Sequence, residues 1–98
     1  MTLPLGGYKG RVKGPLGFLL NRIWKGKFFH SNTVENKILG HWMFPGYVSG
    51  KEPGLVIISY PQLGIEDHLF GPDRNGNWTG EMTRILGIKI RFTLEKIK

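Results

Sequence analysis

Through most of this chain apolar residues recur at every second position, with polar or charged residues between them. From Tyr8 to Lys13, Lys9, Arg11 and Lys13 share one side, and Tyr8, Gly10 and Val12 the other. The stretch NRIWKGKFFH sets Trp24, Gly26 and Phe28 on one beat and Lys25 and Lys27 on the other. NWTGEMTR repeats the spacing with Trp78, Gly80 and Met82. From Thr33 to Leu39, Val34 and Ile38 form the apolar side; His41 to Val48 is aromatic and interrupted by Pro45-Gly46. Ile65, Asp67 and Leu69 alternate with Glu66, His68 and Phe70, and Ile88, Ile90, Phe92 and Leu94 with Lys89, Arg91 and Thr93. A period of two is that of an extended strand, whose side chains leave alternately to its two sides. LVIISY, Leu55 to Tyr60, is apolar without a break until its serine and predicts a strand buried on both faces.

Fifteen glycines and six prolines punctuate the chain every few residues and disfavour long helices. Asn75-Gly76 is a strong hairpin signal, because both central residues of a type I′ turn need positive φ; SGKEPG at 49–54 supplies a second turn. One short helix is predicted over Leu16 to Ile23, opened by Pro15, with Leu16, Leu19, Leu20 and Ile23 at helical spacing. Gly26 and Gly80 leave room for a neighbouring backbone or ring, or let their strands coil, and the two W-x-G-x-apolar strands suit a strongly curved sheet. About eight short strands result, and closing the sheet removes its exposed edges. The prediction is an all-β single domain over 1–98: a small antiparallel up-and-down barrel.

YKGRV, NRIWKGKFF, NKILG, LVIISY, WTGEMTR and the closing GIKIRFTLE together resemble a set of small bacterial lipocalin-like (calycin) barrel proteins. The resemblance spans most of the chain through short motifs. Lipocalins carry G-x-W in their first strand, whereas the only G-x-W here, Gly76-Asn77-Trp78, stands near the end. The resemblance implies a reduced barrel; the leading reading of function, a non-catalytic binder of a small apolar or amphipathic ligand, rests on the residues.

The residues themselves supply a candidate lining for such a ligand. If the alternation holds, Trp24, Phe28, Trp42, Phe44, Tyr60, Trp78 and Phe92 line the interior, and aromatic-lined cavities suit flat or greasy molecules. The competing outcome is that these rings fill the barrel and leave no space.

Charge adds a second class of partner. The formal net charge is +7, and residues 1–34 contribute six cations and no carboxylate, so six of the seven excess charges lie there. Such a field attracts nucleic acid, acidic lipid or an acidic protein, and it also keeps a small domain in solution. Lys9, Arg11, Lys13, Lys25, Lys27, Lys89 and Arg91 would form an outer stripe if the first and last strands pair. The alternation sends the aromatics to the opposite side, which counts against single-strand binding, where rings and cations share a surface. A barrel that failed to close would instead leave edges for self-association.

Catalytic chemistry finds little support. His30, His41 and His68 match no metal spacing, although His68 and Glu66 share a face; haem ligation by His30 or His41 inside a barrel is conceivable, but a lone histidine more often packs or faces water. Ser31, Ser49 and Ser59 lie in no nucleophile motif, LGGYKG and GPLG are not phosphate loops, and Glu66 and Glu81 have no fixed separation. No cofactor or metal is expected. The absence of cysteine suits a reducing compartment. The N-terminus lacks a secretory pattern and no apolar stretch is long enough to span a bilayer, so the expected location is cytoplasmic.

Overall fold

A computed structural model describes residues 4–15, 17–83 and 89–97, with the backbone alone for 42–44. The strands are β1 (Gly6–Val12), β2 (Trp24–Phe29), β3 (Thr33–Ile38), β4 (His41–Glu52), β5 (Leu55–Tyr60), β6 (Ile65–Phe70), β7 (Trp78–Thr83) and β8 (Lys89–Lys96). One helix, α1 (Gly17–Ile23), follows β1. Each strand pairs antiparallel with the next, and β8 returns to β1, so the sheet closes into an eight-stranded barrel in strict chain order. Leu16 and Ile88, which the sequence places in the helix and in the last strand, lie outside the described residues.

Because strand direction alternates, the connections sort to two ends. α1, the β3–β4 turn and the β5–β6 turn share one end; the β2–β3, β4–β5 and β6–β7 turns share the other. α1 is stapled to the rim by Asn21, whose Oδ1 accepts from the Val12 N–H at 2.6 Å and whose Nδ2 donates to the Val12 carbonyl at 3.1 Å.

The inward phase of most strands is the one the alternation predicts. Tyr8 and Val12, Leu69, Trp78, and Phe92 and Leu94 are buried, and Asp67 is buried beside Leu69. β5 departs from expectation: Val56, Ile58 and Tyr60 are buried, but Leu55, Ile57 and Ser59 are only half covered. A single closed sheet has one inner face, so the alternate side chains of this strand face outward.

β2 contains the larger correction. Trp24 pairs with Ile38, but Gly26 pairs with the next residue, Lys37, so Lys25 is an extra residue on β2. This bulge inverts every side chain that follows it. Lys27 points into the barrel, 3% exposed; Phe28 points out, 38% exposed; Phe29 takes the interior place. Gly26 makes the bulge sterically feasible. Its φ is +153°, and a Cβ there would collide with the Tyr8 carbonyl oxygen of the neighbouring strand. Gly80 meets a different demand, since the Phe92 ring lies across it where a Cβ would stand.

Candidate functional site

The two halves of the interior differ. Toward the hairpin end, Phe29, Val34, Val56, Leu69, Trp78 and Leu94 pack with essentially no exposure. Toward the α1 end there is a cavity of about 290 Å³. Its walls are Val12, Ile38, Ile65, Met82, Ile90 and Phe92, and Leu20, Ile23 and Leu63 stand among its lining where α1 and the β5–β6 turn meet the rim.

The floor is polar. Lys27 Nζ reaches Asp67 Oδ2 at 2.6 Å, Tyr60 Oη at 2.7 Å and Asn36 Oδ1 at 2.7 Å, which occupies all three ammonium hydrogens. Tyr60 donates its hydroxyl to Asp67 Oδ2 at 2.9 Å and accepts from Asn36 Nδ2 at 3.3 Å. Trp24 Nε1 donates to Asn36 Oδ1 at 3.0 Å. Four strands therefore contribute to one network: β2, β3, β5 and β6. The ammonium also lies 5.1–5.7 Å from the ring centroids of Tyr60, Trp24 and Phe92. These three aromatics enclose the chain's own cation at cation–π range.

Burying two charges is costly unless each is paired and hydrogen-bonded. Both conditions are met here, and among the described residues no fully buried side-chain nitrogen or oxygen lacks a partner. Burial pulls the Lys27 ammonium down, but the Asp67 carboxylate, then Tyr60, and the hydrogen bonds to both outweigh it and hold the pKa above the usual 10.5. Burial raises the Tyr60 phenol above its usual 10.0; Lys27 opposes this and Asp67 adds to it. At neutral pH the lysine is therefore an ammonium and the tyrosine a phenol. In these forms the cluster can bind and orient a polar group.

Of the aromatic residues expected to line a pocket, Trp24, Tyr60 and Phe92 do so. Trp78 is buried in the filled half instead, and Phe28 is turned to the outer wall by the bulge. The side chains of Trp42 and Phe44 lie outside the described residues. Lys27, Asn36 and Asp67 are the floor residues the alternation does not single out. Asp67 nonetheless carried a signal: it shares its phase with Ile65 and Leu69, and a carboxylate in an inward phase requires an inward cation.

The expected cationic stripe survives without Lys27. Lys9, Arg11, Lys13, Lys25, Lys89 and Arg91 are exposed. Lys9, Arg11 and Lys25 line an outer groove with Phe28, the one aromatic that the bulge delivers to this surface. Carboxylates interrupt the stripe: Glu95 stands opposite Lys9, Glu35 opposite Phe28, and Glu81 opposite Arg91 at 3.5 Å.

The histidines do not enter the cavity. His30 pairs with Glu35 at 3.1 Å on the surface, His68 with Glu66 at 3.3 Å, and His41 is exposed. Haem held by His30 or His41 inside the barrel is thus contradicted by their placement. Among the described residues no three His, Cys, Asp or Glu side chains cluster as metal ligands, and no helix is long and apolar enough to cross a membrane. No protein-family model, curated protein or solved structure matches the chain.

Proposed function

We propose that the protein is a non-catalytic carrier of a small, uncharged amphipathic molecule, held at the α1 end of the barrel. The supporting observation is the contrast inside one cavity: apolar walls above a self-neutralised polar floor. At about 30 Å³ per water-sized group, the space suits a ligand of roughly ten non-hydrogen atoms. All three hydrogens of Lys27 are engaged, so no free donor awaits an anionic head, and Asp67 would repel one. A hydroxyl head, which can give a hydrogen bond, complements the Asp67 carboxylate, whereas Tyr60 Oη and Asn36 Oδ1 already accept two bonds each. The tail then runs along Ile38, Ile65, Met82 and Ile90 toward the rim.

Calorimetric titration with 1-octanol and with octanoate tests this reading. Saturable one-to-one binding of the alcohol is expected, with the carboxylate at least about tenfold weaker, a difference of about 1.4 kcal/mol. Met82→Trp, which fills the cavity, should abolish both. No binding of either, or unchanged binding in the filled variant, refutes the proposal.

A second reading, single-stranded nucleic acid or an acidic protein on the outer wall, gains one observation from the structure: Phe28 stands among Lys9, Arg11 and Lys25. One ring is a small stacking platform, and three carboxylates divide the cations. Anisotropy with labelled oligonucleotides at low and high salt decides it; binding that falls steeply with salt is its signature.

A further inference from the structure

α1 is apolar on more sides than the barrel uses. Leu20 turns to the cavity and Asn21 is spent on the Val12 backbone, which leaves Phe18, Leu19 and Ile23 at 70%, 58% and 43% exposure. Two neighbouring turns extend the patch. Leu39, 67% exposed, is tied to α1 through its N–H to the Ile23 carbonyl at 2.9 Å, and Leu63, 42% exposed, lies in the β5–β6 turn at the same end. Exposed apolar side chains gathered at one end in this way mark a contact site.

Exposed cations outnumber exposed carboxylates at the same end as that patch. At the α1 end Lys13, Arg22, Lys25 and Lys89 are exposed, with Glu66 as the one exposed carboxylate among the described residues there. At the hairpin end Glu35, Glu52, Asp73 and Glu95 stand among or beside the turns together with the exposed Lys51, Arg74 and Lys96, so the cationic excess lies at the α1 end. Arg22 lies 4.8 Å over the Phe18 ring, so cation and apolar surface are presented together.

We propose that the α1 end docks on an anionic lipid bilayer, with Phe18, Leu19, Ile23, Leu39 and Leu63 entering the interface and Lys13, Arg22, Lys25 and Lys89 meeting the headgroups. Apolar insertion flanked by basic side chains is the physical basis of interfacial binding, and cations near a negative leaflet add to it and are screened by salt. The docked face carries lining residues of the cavity, so an amphipathic molecule would pass between bilayer and barrel without crossing water. The docking itself does not depend on that ligand.

Co-sedimentation of the full chain with phosphatidylcholine vesicles, with and without phosphatidylglycerol, tests the proposal. Binding is expected to be about tenfold or more tighter with the anionic lipid and to weaken in high salt. Phe18→Ser/Leu19→Ser should lower it about tenfold while leaving the melting temperature unchanged, because neither side chain is buried. Failure to bind anionic vesicles, or wild-type binding by the double variant, overturns it. So does a concentration-dependent dimer in light scattering that the double variant abolishes in the absence of vesicle binding, since the patch would then serve a second copy of the chain.

Discussion

The hairpin-end half of the interior and the α1-end half are built from the same eight strands, yet they are packed by different rules. In the first, Phe29, Val34, Leu69, Trp78 and Leu94 belong to one core cluster and are at most 2% exposed. In the second, Met82, Ile90 and Ile65 are only half covered and surround a void with a buried ion pair beneath it. A close-packed half can hold the barrel shut, which relieves the other half of that task and lets it keep a cavity. The ion pair marks the boundary between them.

The largest effect is expected at that boundary. Lys27→Met leaves Asp67 buried and unpaired and should cost about 3–5 kcal/mol in urea unfolding. Lys27→Met/Asp67→Leu should recover most of that loss, because apolar replacements of a buried pair are often neutral. If the double variant is as unstable as the single, the pair is a structural keystone and not a floor maintained for a ligand.

Next come paired deletions in the two halves. Leu69→Ala opens a hole in a filled core and should cost about 2–5 kcal/mol, whereas Ile90→Ala enlarges an existing cavity and should cost less than about 1 kcal/mol. Equal losses would erase the distinction between the halves.

The smallest effect is a pH dependence at the alkaline end. Lys27 and Tyr60 both hold their protons more tightly in the folded chain than their ordinary values of 10.5 and 10.0 allow. Between the unfolded and folded values the unfolded chain binds fewer protons, so stability falls as pH rises. The contribution is complete below about pH 10 and is lost as pH climbs through the raised values. Lys27→Met/Asp67→Leu should flatten the lysine part of that slope in thermal melts, leaving Tyr60's share.

The barrel was legible because alternation is a strong signal wherever one face is buried: Ile90-Phe92-Leu94 and Trp78-Gly80-Met82 each keep their phase. The floor of the cavity was not, for one local reason. A period-two reading of NRIWKGKFFH runs straight through Gly26, and the bulge there exchanges Lys27 with Phe28. That exchange moves a cation from the outer stripe to the site and an aromatic from the site to the stripe. The inward Asp67 was the available warning, since its phase required a buried cation and Lys27 is the lysine that supplies it. The cavity itself depends on how side chains from eight elements and a turn fill a volume, and pairwise periodicity carries no information about that.

The central claim is that the two halves differ in access, and methyl NMR during a 1-octanol titration reads it directly. The account predicts saturable shifts for the methyls of Leu20, Ile65, Met82 and Ile90, with those of Val34, Val56, Leu69 and Leu94 unmoved. Uniform shifts throughout the interior, or none at the α1 end, would contradict it.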